Sequence, residues 1–179
     1  MADPIENLIR QLLTEIGEDP TREGIQDTPA RVARWWREFT DYDAGNIGTT
    51  FDAVQTDQMV AVTGVRVWSL CEHHLLPFYT DLTMAYLTEE QVLGLSKFAR
   101  IAHKHAHRLQ LQERLVSGIA DELEAVTRSP NVAVLGKGEH LCMTMRGVRT
   151  PAQMHSSVLR GKFKTTGTAR AELFSLSNR

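Results

Sequence analysis

Apolar residues recur at helical spacing in several separate segments of the chain, each giving one hydrophobic side. These segments predict helices over residues 4–16, 28–39, 94–109, 112–127 and 169–176. The first begins at Asp3-Pro4 and the second at Thr28-Pro29, and in both the proline suits the first helical turn. The helical prediction therefore rests on start signals as well as on periodicity.

Elsewhere the hydrophobic period changes to two and β-branched residues become frequent, as in strands. The alternation predicts strands over residues 59–70, 82–87, 131–135, 140–146 and 158–163. The segment 136–139, Gly-Lys-Gly-Glu, reads as a turn between two of them. The order of elements predicts an α+β fold in which helices cover one face of an antiparallel sheet. Open sheet edges favour pairing with another chain, so we expect an oligomer.

Size and composition change this picture only modestly. With 179 residues, 42% hydrophobic and 23% charged, the chain suits one globular domain with an appendage. We place a helical region at 1–57 and the sheet-containing domain at 58–179. A net charge of -2 argues against nucleic-acid binding, and no apolar run is long enough to cross a membrane. No secretory signal is visible, so we expect a cytoplasmic protein.

The only two cysteines, Cys71 and Cys142, give the strongest sign of chemistry. His74 follows Cys71 at C-x-x-H spacing, so that one turn could supply two metal ligands and Cys142 a third. Three protein ligands are typical of a catalytic metal site, which keeps a position for water. Two alternatives stay open: both cysteines are small buried hydrophobes, or they form a disulfide in an oxidising compartment.

His140 begins one of the predicted strands. Alternation would place His140 and Cys142 on the same face, together with Thr144 and Arg146. That face would combine a proton-transfer group, a metal ligand and a positive charge. The alternative is a half-buried strand whose polar face meets solvent.

The start of the predicted helix at 94 carries Ser96, Lys97 and Arg100. Free backbone N–H groups and the helix dipole favour phosphate there, although a basic stripe is also common on a solvated face. His103 and His107 lie four apart on the same helix, but no carboxylate is placed to orient them. We therefore do not interpret that pair as a metal site.

Several motifs together resemble the GTP cyclohydrolase I family. They are TPARVARWW, CEHHLLPF, GLSKFARI, QLQERL, EHLCMTMRGV and RAELFSL, in that order, and they extend from Thr28 to Leu176. The resemblance implies the tunnelling fold, with subunits assembled into a toroidal ring, usually a decamer, and active sites between subunits. It also implies Zn²⁺-dependent conversion of GTP to 7,8-dihydroneopterin triphosphate with release of formate.

The resemblance assigns roles to individual residues. Cys71, His74 and Cys142 correspond to zinc ligands, and His73, His140 and Ser96 to catalytic residues, while the substrate-binding positions are Gln112, Glu113, Lys97, Arg100 and Arg146. Glu113 matches the carboxylate that anchors guanine. A carboxylate can accept from both the N1–H and the 2-amino group of that base.

Two departures from the family pattern bear on phosphate recognition and on the sheet edge. Tyr79-Thr80-Asp81 stands where the family commonly has a Gly-Lys pair, and residues 41–64 contain no Lys or Arg. The missing basic residues leave open a cyclohydrolase with altered phosphate or ribose preference. A separate alternative is a non-catalytic nucleotide-binding regulatory paralogue. The intact cysteine and histidine positions argue against the paralogue.

Overall fold

The computed structural model describes residues 3–177 and contains seven helices and seven strands in that part of the chain. The helices are α1 (Pro4–Glu15), α2 (Thr28–Thr40), α3 (Leu95–Ala106), α4 (Gln112–Thr127), α5 (Leu141–Thr144), α6 (Lys162–Thr165) and α7 (Gly167–Ser177). The strands are β1 (Thr50–Asp52), β2 (Met59–Cys71), β3 (Pro77–Leu87), β4 (Gln91–Leu93), β5 (Leu109–Gln110), β6 (Val132–His140) and β7 (Met154–Leu159). Within residues 3–177, no helix has the length and apolar character that a bilayer crossing requires.

The chain divides into two compact units, Met1–Tyr42 and Asp43–Arg179. The first unit consists of α1 and α2. Asp3 caps α1 by accepting from the Ile5 N–H at 2.9 Å, which confirms the predicted helix start. Arg37 of α2 donates to both carboxylate oxygens of Asp3, and these hydrogen bonds lower the pKa of the Asp3 carboxyl.

The second unit is built on a five-stranded sheet with the order β5-β2-β3-β6-β7. β2 and β6 both run antiparallel to the central β3, and β5 runs parallel to β2. Because β2 and β6 share a direction, both end at the edge of the sheet where β3 begins. Cys71, Pro77 and His140 therefore lie at the same end of the sheet, with Phe78 paired to His140.

The core lies on both faces of this sheet. α3 and α4 cover one face, where they pack against Met84, Tyr86 and Val134. The opposite face is covered near the C-terminus by Phe163 of α6 and Leu173 of α7. The cover of one face by α3 and α4 agrees with the predicted α+β arrangement, and α6 and α7 add cover on the second face, because β3 and β6 carry apolar residues at successive positions.

The predicted strands near the C-terminal third also need correction. Residues 131–146 do not form two strands joined by a turn at 136–139. Instead β6 is one continuous strand that ends at His140, and residues 141–144 form a helical turn. The last strand is Met154–Leu159 rather than 158–163, and α3 ends at Ala106 because residues 109–110 pair with β2.

Gly136 and Gly138 occupy alternate positions in β6 and make room for a side chain of α4. A Cβ atom at Gly138 would lie 2.6 Å from Gln112 Oε1 and would also collide with the Tyr79 carbonyl oxygen. A Cβ atom at Gly136 would lie 2.9 Å from Val116. These glycines are therefore required for packing within a strand, and they do not mark a turn.

Gly138→Ala is expected to destabilise the protein by about 1–3 kcal/mol, because the added methyl group overpacks a buried strand. Urea unfolding followed by circular dichroism measures the change. Gly167→Ala is the matched control, since nothing lies within 4 Å of a Cβ atom at that position. Equal stability of the two variants would show that the space around Gly138 is not tight.

Candidate metal centre

The first two predicted ligands lie on a tight turn that follows β2. The N–H groups of His74 and Leu75 both donate to the Cys71 carbonyl oxygen, at 3.3 and 2.9 Å. Leu75 has a φ of 56°, a left-handed conformation that is strained for a leucine. The turn brings Cys71 Sγ to 3.6 Å from His74 Nδ1, so local backbone structure forms this pair.

The third predicted ligand, Cys142, lies in the helical turn α5. The ligand atoms of Cys71, His74 and Cys142 all lie within 4.8 Å of one another, and both thiols are free. Among residues 3–177, no further His, Cys, Asp or Glu joins this group. Two sulfurs and one imidazole nitrogen at this spacing could hold a metal ion with a coordination position to spare.

Burial raises the pKa of the Cys142 thiol, and the neighbouring Cys71 sulfur raises it further. A thiol binds a metal as the thiolate. An ion that enters the group must therefore displace a proton from Cys142, which makes its affinity rise with pH.

His140 lies at the end of β6, beside the metal-ligand group. Its ring stacks on Phe78 with a centroid distance of 4.3 Å and an interplanar angle of 6°. Its Nε2 lies 3.1 Å from Gln112 Oε1. Burial lowers the pKa of His140, and the charge of Glu113 acts in the opposite direction. The half-buried ring is thus held in one place and favours the neutral form.

Glu72, inside the ligand turn, pairs with Arg114 of α4. Arg114 donates to the two carboxylate oxygens of Glu72 at 2.6 and 3.2 Å, and this pairing lowers the pKa of the Glu72 carboxyl. The Glu72 N–H also donates to the Gln110 carbonyl oxygen. These contacts connect the metal-binding turn to the start of α4. Sequence reasoning missed Arg114, because no local pattern pairs it with Glu72.

Glu113 and Arg146 lie close enough to influence the site electrostatically. Glu113 is exposed at the start of α4, and its charge partly opposes the lowering of the His140 pKa by burial. Arg146 is exposed after α5, and its charge partly opposes the raising of the Cys142 pKa by burial. His73 is exposed as well, with its ring centroid 6.1 Å from that of His74. One chain thus brings together the metal ligands, two histidines, Glu113 and Arg146.

The basic residues at the start of α3 donate to backbone carbonyl oxygens that are not part of the metal-ligand group. Lys97 Nζ donates to the Asn46 carbonyl oxygen and Arg100 Nη1 to the Ala44 carbonyl oxygen, both at 2.7 Å. Ser96 is exposed. Within residues 3–177, no hydrogen bond or ion pair connects these three residues to the metal-ligand group, so their role in phosphate binding stays a prediction.

The chain is similar in sequence to proteins named GTP cyclohydrolase 1. One from Sulfurihydrogenibium sp. (strain YO3AOP1) is 46% identical over 176 residues, covering 97% of this chain and 94% of that protein. Another from Hyperthermus butylicus is 44% identical over 171 residues, covering 95% and 88%. A third from Alkalilimnicola ehrlichii is 43% identical over 182 residues, covering 98% of both.

The structure of an archaeosine synthase QueF-Like in the apo form aligns with 57% of this chain and 95% of that one. Its TM-score is 0.43 and its sequence identity 17%, a level at which neither fold nor function follows. The family model for GTP cyclohydrolase I, by contrast, matches residues 5–178. The chain belongs to the GTP cyclohydrolase I family.

Proposed function

We propose that this protein is a zinc-dependent GTP cyclohydrolase that converts GTP to 7,8-dihydroneopterin triphosphate and releases formate. The observation that carries the proposal is the group of Cys71, His74 and Cys142 beside a half-buried, oriented His140. Membership of the GTP cyclohydrolase I family supports the same activity.

Zinc suits the donor set, because it binds cysteine sulfur and histidine nitrogen in tetrahedral sites. When bound, the ion lowers the pKa of water to near 7 and so supplies a nucleophile for hydrolysis of the guanine imidazole ring. Cys71, His74 and Cys142 would hold it, and the three-ligand count leaves one position for that water.

His140 is the proton donor in this proposal. Opening of the guanine imidazole ring leaves charge on N7, and a histidine can supply a proton to such an atom near neutral pH. Stacking on Phe78 and the contact with Gln112 hold the ring in one orientation for that transfer. His73 and Ser96 are the residues we assign to the later rearrangement of the ribose and closure of the new ring.

Glu113 selects guanine. Its carboxylate lies exposed at the first turn of α4 and can accept from the N1–H and the 2-amino group together. Adenine lacks that pair of donors. Arg146 lies near Cys142 and is assigned to the ribose and triphosphate.

The subunit arrangement belongs to the same proposal. Among the described residues, Lys97 and Arg100 donate to backbone carbonyls of residues 44–46 and make no hydrogen bond or ion pair to the metal ligands, as expected if they bind the triphosphate in a site shared with a neighbouring subunit. We therefore propose a toroidal homo-oligomer, a decamer, of tunnelling-fold subunits in the cytoplasm. The helical region spans 1–57 and the catalytic domain 58–179, of which residues 1, 2, 178 and 179 lie outside the described part.

Incubation of the zinc-loaded protein with GTP tests the activity. We expect formate and, after oxidation, a fluorescent pterin in equal amounts, with neither product from ATP or in the presence of a chelator. GDP and dGTP serve as further arms, because residues 41–64 carry no basic side chain. Tight GTP binding without turnover would identify a regulatory paralogue and contradict the proposal.

A further inference from the structure

Gln112 is a fully buried polar residue at the first position of α4, and its amide is enclosed by protein groups. One end of the amide faces three oxygen acceptors. They are the carbonyl oxygens of Gly136 and Met154, at 3.2 and 3.1 Å, and Ser156 Oγ at 3.0 Å. The carbonyls can only accept hydrogen bonds, so this end must be the NH₂ group. The hydrogen-bond network therefore fixes which way the amide points.

The other end of the amide fixes the state of His140. Gln112 Oε1 lies 3.1 Å from His140 Nε2, and an amide oxygen can only accept a hydrogen bond. Nε2 must therefore carry a hydrogen whether the ring is neutral or protonated. In the neutral ring, Nδ1 is then the nitrogen with a free lone pair.

Neighbouring residues of β6 and β3 pack around the contact between Gln112 and His140. β6 carries glycine at 136 and 138, and a Cβ atom at Gly138 would lie 2.6 Å from Gln112 Oε1. Phe78 stacks on the face of the His140 ring and restricts its rotation. The Gln112 side chain is fully buried, with its NH₂ group bonded to acceptors of β6 and β7 and its oxygen in contact with His140.

We propose that Gln112 is a positioning residue, which fixes the orientation and tautomer of His140 so that Nδ1 exchanges the proton with the substrate. Gln112 in this proposal does not itself bind the purine, in contrast to the substrate-binding role expected from the family resemblance. The catalytic part of the inference rests on the proposed function. The tautomer part stands on the described contacts alone.

Solid-state ¹⁵N spectra of the full-length, zinc-loaded protein labelled at histidine test the tautomer directly. The His140 signals are identified by their loss in His140→Ala. We expect the native neutral ring to be the Nε2–H tautomer alone. A native Nδ1–H tautomer would overturn the proposal, and this measurement decides even where a Gln112 variant fails to fold.

Gln112→Met keeps the side-chain length and removes the amide, so we expect both neutral tautomers of His140 in that variant. Gln110→Met is the matched control. Gln110 is also buried, but among residues 3–177 its amide bonds only to backbone groups of His105 and Leu111. The control should keep the native spectrum, and an unmixed Nε2–H signal in Gln112→Met would contradict the role assigned to Gln112.

Kinetics separate positioning from substrate binding. Gln112→Met is expected to lower kcat by about 10–100-fold, as loss of a supporting hydrogen bond behind a functional histidine commonly does. The KM for GTP should stay unchanged, and so should the Kd for GTP when Gln112→Met is added to His140→Ala. A tenfold weaker Kd would show that Gln112 binds the purine and would overturn the proposal. Absence of turnover in the native protein would defeat the proposed function while leaving the tautomer result standing.

Discussion

His140→Ala is expected to lower kcat for GTP by about 10²–10⁴-fold, the usual contribution of a positioned general acid. The variant should keep its metal, because His140 is not part of the Cys71, His74 and Cys142 group. Turnover is measured as formate release, and zinc content by elemental analysis of the same sample. We therefore expect His140→Ala to contain the full amount of zinc and to have lost most of its turnover.

His155→Ala provides the matched control, since His155 is an exposed histidine on the neighbouring strand β7. It should retain the native rate. Added imidazole should restore part of the turnover of His140→Ala, because the vacated space beside Phe78 can admit a small proton donor. A variant that keeps both zinc and the native rate would exclude His140 as the proton donor.

Cys142→Ala is expected to lose both the metal and the activity, with turnover falling roughly 10⁴-fold or more because water is no longer activated near neutral pH. Cys71 and His74 would remain as a two-ligand pair on one turn. Such a pair binds zinc much more weakly than a group with two thiolates. The measurement is the zinc-to-protein ratio after dialysis, together with formate release from GTP.

Met143→Ala is the control for Cys142→Ala, because Met143 is the exposed neighbour in the same helical turn. It should keep zinc and activity. Circular dichroism should show that Cys142→Ala retains its sheet, since Cys142 lies beyond the end of β6. Full zinc occupancy in Cys142→Ala would mean that another side chain is the third ligand.

The five longer helices were predictable from sequence because their signals are local, whereas the short helices α5 and α6 were not predicted. The apolar stripe of α4 and its bounds, Gln112–Thr127, agree with the prediction residue for residue. The Asp3 cap and Pro4 fix the start of α1 in the same way. Periodicity, caps and proline act within a few residues, so one sequence contains them fully.

The predicted strand at 140–146 was wrong for a reason that lies outside the segment. The alternation from His140 to Arg146 fits a strand, but β6 has reached the end of its partner by then, where His140 pairs with Phe78. With little of β3 left beyond this pair, the chain turns into α5. Cys142 therefore reaches Cys71 and His74 from a helical turn, and not from a strand face shared with His140 as predicted.

The turn predicted at Gly136 and Gly138 was also wrong because of residues outside the segment. A Gly-x-Gly segment resembles a turn, but both glycines lie inside a strand, where a Cβ atom would collide with Val116 at position 136 and with Gln112 at position 138. The contacts of Gln112 with His140 and of Arg114 with Glu72 likewise join elements far apart in sequence. Such contacts depend on the sheet order, which local patterns do not encode.

One sulfur of the metal centre lies on the last residue of β2 and the other just after the end of β6, and these strands are separated in the sheet by β3. They can meet only after both strands have paired with β3, so the unfolded chain offers an ion no comparable site. Ion binding therefore adds its free energy to the native state alone. Scarcity of zinc in a cell would then shorten the lifetime of this protein against proteolysis, and the metal supply would set how much of it accumulates.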